Sequence, residues 1–202
     1  MNLDERTEKL SVLCPDGFFL AIRMGFFYPI FEKKTLPQKW IDQYTSRGYM
    51  VSDPVMHWAY RNLGAIRWSE ITLEDTRGVL KQAKLFDLNF GVAICCADPQ
   101  DTSQRSFGSF TRSDREFSDV EITELSELVE DLHVELVPPK NLTKAELEAL
   151  RMVKNGLLMK EIANLLGVSE GAVKQRLKSA KTKLNAKTGT HAATKATTFG
   201  LI

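Results

Sequence analysis

Two spacings of apolar residues alternate along this chain, and each predicts its own kind of element. Phe18 to Met24 and Phe90 to Cys96 are short apolar runs suited to strands, and Ser106 to Thr111 can supply another. Pro37 to Gly48 and Thr76 to Leu85 read as helices. In the first, Pro37 suits the opening turn, and Trp40, Ile41 and Tyr44 fall on one side. A sheet flanked by helices is the simplest packing for that order. From Asp119 to Leu136 the apolar residues Val120, Leu125, Leu128, Val129, Leu132 and Leu136 adopt helical spacing. Pro138 and Pro139 then remove two backbone donors and end that helix. The pattern divides the chain into residues 1–137, a linker at 138–141, and residues 142–202.

Beyond the prolines the period is helical throughout. Thr143 predicts an N-cap, and Glu146 stands three residues on to close a capping box. Leu147, Leu150, Met152 and Val153 give that helix its apolar side, and Asn155-Gly156 breaks it. A second helix over Met159 to Leu166 turns Ile162, Ala163, Leu165 and Leu166 inward, and Gly167 ends it in the left-handed region. Ser169 caps a third helix running through Leu184, with Val173, Leu177, Ala180 and Leu184 toward the core. A fourth segment, Thr190 to Phe199, repeats Ala192, Ala193 and Ala196, and either closes the bundle or forms a dimer surface.

Charge sharpens this division. Residues 140–202 hold twelve Lys or Arg against four Glu, a formal +8 inside a 202-residue chain whose total is +1, which leaves about −7 for the rest. A basic, polyanion-facing module joined to an acidic one accounts for the split. No run reaches the roughly 18 uncharged apolar residues that cross a bilayer. The amino end carries Asp4, Glu5 and Glu8 and no apolar core of the leader kind, so a cytoplasmic protein without membrane association is expected. Cys14, Cys95 and Cys96 lack CxxC spacing and read as reduced, partly buried side chains, with no metal site expected. His57, His133 and His191 are scattered, and no nucleophile stands with a base. Cys95 is the least implausible nucleophile, yet it sits in an apolar run, so no catalytic residues and no enzyme are expected.

The third helix of the tail leaves Lys174, Gln175, Arg176, Lys178, Lys181 and Lys183 on its remaining surface. A helix of this diameter fits the major groove, where Lys and Arg meet phosphates or guanine edges and Gln175 can pair with adenine. Double-stranded DNA is the expected partner, through Lys174, Gln175, Arg176, Lys178 and Lys181. The residues Leu142 to Leu150, Gly156, Glu161-Ile162-Ala163, Leu166-Gly167-Val168-Ser169, Val173-Lys174, Ala180, Lys183-Leu184 and Gly200-Leu201-Ile202 resemble the LuxR-type helix-turn-helix domain. That resemblance implies an all-α, four-helix DNA-binding module used as a homodimer. Ala172 and Arg176 depart from residues common in the family, which touches base preference more than fold.

Between Trp40 and Trp68 the chain gathers Tyr44, Tyr49, Asp53, Pro54, Val55, Met56, Trp58 and Ile66. One reading is an aromatic core with a capping Asp at a Pro turn. The other is an apolar cavity whose buried carboxylate wants an amide or hydroxyl donor. The order Trp40, Tyr44, Asp53-Pro54, Trp68, followed by Gln82 to Val92, resembles the autoinducer-binding domain of quorum-sensing regulators. By that resemblance the fold is an α-β-α sandwich on a mainly antiparallel sheet, and the ligand an N-acyl homoserine lactone, with no other cofactor. Trp40 would bond the lactone carbonyl and Asp53 the amide N–H. Tyr44 would line the acyl part and Trp68 pack beside the ring, while Ser109, or else Ser106, would serve the acyl carbonyl. Leu36 stands where such receptors commonly present a donating Tyr. The expectation is a ligand-responsive transcriptional regulator. The alternative is a ligand-independent or inhibitory regulator whose first domain is only a dimerisation scaffold. A phosphorylation-controlled regulator fits poorly, because the early paired acids are missing and Pro54 follows Asp53.

Overall fold

Strands form at the apolar runs and then extend past them. The computed structural model describes residues 9–24 and 28–202, so Asp4, Glu5 and Glu8 lie outside the described residues. Strands β1 (Phe18–Met24), β2 (Pro29–Lys34), β3 (Gly64–Arg67), β4 (Phe90–Asp98) and β5 (Asp101–Arg112) form one sheet in the order β2-β1-β5-β4-β3. Each neighbouring pair is antiparallel. The β4 and β5 strands outrun their apolar segments because their ladder continues from Phe90↔Arg112 to Asp98↔Asp101, where pairing rather than burial holds the polar end. No periodicity announces β2 or β3. Both are edge strands with half-exposed or exposed residues, and such strands bury too little to leave an alternating pattern.

Side-chain alternation gives the sheet two working faces. Gly91, Ala93 and Cys95 of β4 share one face with their partners Thr111, Ser109 and Phe107. Helix α2 (Pro54–Arg61) covers it, packing Val55, Met56 and Ala59 against Ala93 and Phe107. Helices α1 (Gln38–Ser46) and α3 (Val79–Ala83) contribute Trp40 and Val79 to an adjoining cluster. The opposite face, with Val92, Ile94, Cys96, Ser106 and Phe110, takes α4 (Asp119–Glu135), which buries Leu125, Val129, Leu132 and His133. Val120, read with the apolar stripe, is 77% exposed in the first turn. Beneath the carboxyl end of α4 lies a buried polar network. Arg23, at φ 52° where β1 shifts register, reaches Asp98 at 2.6 Å and donates to the His133 carbonyl at 2.9 Å. The chain divides into two compact units, Met1–Leu136 and Val137–Ile202.

The second unit is all helix: α5 (Lys144–Lys154), α6 (Met159–Leu166), α7 (Glu170–Lys183) and α8 (Gly189–Thr198). Thr143 and Glu146 close their capping box, the Glu146 N–H donating to Thr143 Oγ1 at 3.2 Å and the Thr143 N–H to Glu146 Oε2 at 2.7 Å. Gly167 ends α6 at φ 63°, a conformation that disfavours any Cβ. Ser169 Oγ then accepts from the Ala172 N–H at 3.2 Å and starts α7. Ile162, Ala163, Val173, Leu177, Ala180 and Leu184 form the core with Ala149 and Leu150. Ala192, Ala193 and Ala196 of α8 join it, so that helix closes the bundle. Leu165 corrects the sequence reading. It is 67% exposed, because the buried arc of α6 is set by Ile162, Ala163 and Leu166, and Leu165 falls to its outer side.

Candidate ligand pocket and DNA-reading helix

Three separate segments bring the aromatic residues together. Helix α1 places Trp40 and Tyr44 one turn apart, the 3₁₀ turn Tyr49–Val51 adds Tyr49, and the turn Lys84–Phe86 adds Phe86. The Trp40 ring lies 5.5 Å from that of Tyr44, 5.6 Å from Phe86 and 6.1 Å from Tyr49, centroid to centroid, and Trp40 is only 5% exposed. Leu36 packs against this cluster as an apolar wall. Asp53 is the capping residue that its Asp-Pro context offers, and it is also buried. As N-cap of α2 it accepts the Val55 N–H on Oδ1 at 2.8 Å, and from within the buried cluster it accepts the Tyr44 hydroxyl on Oδ2 at 2.7 Å. Burial pushes the Asp53 carboxyl above its ordinary range, against the Tyr44 hydroxyl and the Val55 and Met56 N–H groups. Burial also raises the Tyr44 phenol, and the Asp53 charge adds to that.

Trp68 arrives from the other direction, at the start of the turn Trp68–Glu70 that follows β3. Its ring lies flat on β4 at Gly91, where a Cβ would stand 2.3 Å from Cδ2 and Cε2. Only a residue without a Cβ accepts the ring there, so Gly91 sets where Trp68 sits, which aromatic spacing alone does not announce. Ser109 is half-buried on the same face, paired with Ala93. Ser106 points the other way and accepts the Arg23 N–H while facing His133 Nδ1 at 2.7 Å. Trp40, Tyr44 and Trp68 thus share one cluster, Asp53 joins it through Tyr44, and Trp68 links it to the sheet face that carries Ser109, whereas Ser106 lies on the opposite face. Cys95 shares the Ser109 face, its thiol donating to the Ala59 carbonyl at 3.4 Å. Burial raises the Cys95 thiol and pushes those of Cys14 and Cys96 up to about 12, the opposite of what a nucleophile needs.

On α7 the buried arc of Val173, Leu177 and Ala180 leaves Lys174, Gln175 and Lys178 exposed on the opposite arc. Lys181 is half-buried. So is Arg176, which stands 4.0 Å from Glu148 of α5. Lys183, placed on the free surface by its spacing, is instead bound at 2.9 Å to buried Glu146. Burial raises the Glu146 carboxyl, but the Ser179 hydroxyl, the Thr143 N–H and Lys183 outweigh it and hold it at about 2. The recognition helix is therefore fixed to the first helix of the bundle through Glu146 and presents a short polar and basic arc outward.

The family model of the autoinducer-binding domain matches residues 29–134, and that of bacterial regulatory proteins of the luxR family matches residues 140–196. The chain belongs to the LuxR family. It is a transcriptional regulator that joins an autoinducer-binding domain to a helix-turn-helix DNA-binding domain. Among LuxR-family relatives, the transcriptional activator protein RaiR of Rhizobium etli is 30% identical over 171 residues, 76% of this chain and 70% of RaiR. The regulatory protein SdiA of Escherichia coli is 29% identical over 179 residues, 82% of this chain and 74% of SdiA. In three dimensions, crystalline SdiA covers all of this chain and 92% of its own, with a TM-score of 0.53 at 24% identity. SdiA in complex with octanoyl-rac-glycerol gives 0.54 at 23% identity, over all of this chain and 90% of its own. These likenesses concern the LuxR fold. Among the described residues no helix is long and apolar enough to cross a membrane.

Proposed function

We propose that this regulator binds an N-acyl homoserine lactone between α1, α2 and the sheet, and that occupancy controls how a homodimer grips DNA. The reading is supported by the convergence of Trp40, Tyr44, Asp53 and Trp68, from separate segments, on one aromatic cluster that Trp68 joins to the sheet face holding Ser109. In the lactone complex Trp40 donates to the ring carbonyl, Asp53 accepts the amide N–H, Tyr44 lines the acyl chain, Trp68 covers the ring and Ser109 serves the acyl carbonyl. Asp53 is poised for this, because a buried carboxylate with raised basicity gains most from a further donor. Residues 1–137 act as sensor and dimer surface, 138–141 as the linker, and 142–202 as the DNA reader. Lys174, Gln175, Arg176, Lys178 and Lys181 contact a partly symmetric duplex, with salt-sensitive affinity. The protein works in the cytoplasm and catalyses no reaction.

One observation favours a second reading. The Tyr44 hydroxyl already occupies one Asp53 oxygen and the Val55 N–H the other, and Trp40 is closely packed by Tyr44, Tyr49 and Phe86. A sensor core complete in itself would make the first unit a dimerisation scaffold with ligand-independent DNA binding. Expression with a mixture of acyl lactones, followed by mass spectrometry of small molecules released from the folded protein, separates the two. Recovery of one lactone near one per chain supports the sensor. Protein that is dimeric, DNA-binding and free of lactone supports the scaffold.

A further inference from the structure

Five buried side-chain polar atoms among the described residues have no hydrogen-bond partner, on Asp16, Arg23, Trp68, Arg105 and Glu116. Only the indole Nε1 of Trp68 belongs to the aromatic cluster of Trp40 and Tyr44. A buried N–H left unpaired is unfavourable, and native proteins rarely keep one without a use. Two features stop it from being relieved by a simple rotation of the side chain. The ring fusion of Trp68 is seated in the space that glycine leaves at position 91, with Cδ2 and Cε2 where a Cβ would be. Nε1 is bonded directly to that Cε2, so the seat fixes the donor as well as the ring. The ring also spans two apolar clusters, that of Trp40, Tyr49, Val79, Ala83 and Leu88, and that of Val55, Met56, Ala59, Ala93 and Phe107. The polar groups gathered nearby, the Asp53 carboxylate and the Tyr44 hydroxyl, are already bonded to each other.

Resting on the sensor reading above, we propose that Trp68 is a specificity-determining donor. Its indole N–H selects ligands that carry an oxygen acceptor on the ring lying against it, and Gly91 holds the indole for that purpose. A lactone supplies such an acceptor in its ring oxygen or carbonyl. A carbocycle of the same size supplies none, although it covers the ring equally well.

The test replaces Trp68 in the full chain by 3-benzothienylalanine through site-specific incorporation. Sulfur then stands where the N–H was, and ring shape is kept. Affinities are measured by equilibrium dialysis for an N-acyl homoserine lactone and for the N-acyl cyclopentylamide of equal chain length. We expect the replacement to weaken the lactone roughly tenfold, the scale of one hydrogen bond, and to leave the cyclopentylamide unchanged. We expect the ligand-free protein to keep or raise its melting temperature, since no hydrogen bond is removed and an unpaired donor is. Equal weakening of both compounds, or of neither, overturns the inference while the sensor reading stands. A fall in ligand-free melting temperature also overturns it, by showing that the donor was already satisfied within the protein. A wild-type chain that binds neither compound overturns the sensor reading and the inference together.

Discussion

Asp53 is the residue on which two requirements meet, since it must cap α2 and also remain an acceptor inside an apolar cluster. Its folded-state pKa is raised chiefly by burial, so its ionisation opposes folding. Stability from this group is therefore full below the unfolded value of about 4 and declines as pH rises through the higher folded value. Asp53→Asn keeps a capping oxygen and cannot ionise. Urea titrations followed by tryptophan fluorescence should show the wild type losing stability relative to the variant as pH rises above about 4. All three tryptophans, Trp40, Trp58 and Trp68, lie in the first unit, so the signal reports that unit alone. The same variant should bind acyl lactone about tenfold more weakly, because its amide replaces an anionic acceptor. At Gly91, substitution by Ala must move the Trp68 ring or the strand. A loss of about 1–3 kcal/mol in urea stability is expected, with altered tryptophan emission. The gathering of Trp40, Tyr44, Asp53 and Trp68 is legible in the sequence through the resemblance of their order to the autoinducer-binding domain, while residue chemistry alone leaves core and cavity open. Gly91 and the Tyr44–Asp53 bond are not legible, because each joins segments whose approach the local pattern does not encode.

At the scale of elements, strong local signals survive folding and weak ones do not. Helix α6 ends where Gly167 says it must, and α5 starts at the Thr143 box, since caps are decided within four residues. Edge strands β2 and β3 depend on partners elsewhere in the chain, and no local pattern encodes them. Leu165 and Lys183 are misplaced by spacing alone, one because three better-placed residues fill the arc, the other because buried Glu146 captures its ammonium. That capture has a pH signature. Glu146 has its carboxyl held at about 2, so its stabilisation is present above the unfolded value of about 4.3 and is lost as pH falls toward 2. Glu146→Gln should cost the helical unit on the order of 2 kcal/mol at neutral pH and flatten its acid transition, read by far-ultraviolet circular dichroism. On α7, Lys174→Ala and Lys178→Ala should each reduce the slope of log affinity against log salt by about one, for any duplex, because each leaves one phosphate to its counterions. Gln175→Ala should instead flatten base preference at one position with little change in that slope.

Taken whole, the molecule pairs an acidic unit built around an aromatic cluster with a basic unit built to expose one helix, and the charge division of about −7 and +8 already separates them in the sequence. Family membership makes it a regulator. What its own residues add is a carboxylate and two indoles gathered at one aromatic cluster, with the Trp68 ring seated at Gly91. Coupling follows if the occupied sensor favours a dimer whose two α7 helices meet successive major grooves. The most direct test is fluorescence anisotropy of the full chain on a two-fold symmetric duplex at about 0.15 M salt, with and without the lactone recovered from the folded protein. Ligand control of DNA binding requires an affinity that changes at least tenfold on adding lactone, with no such change for Asp53→Ala, a coupling of about 1.4 kcal/mol or more. Equal affinity with and without the lactone, on a duplex the wild type binds tightly, would contradict it.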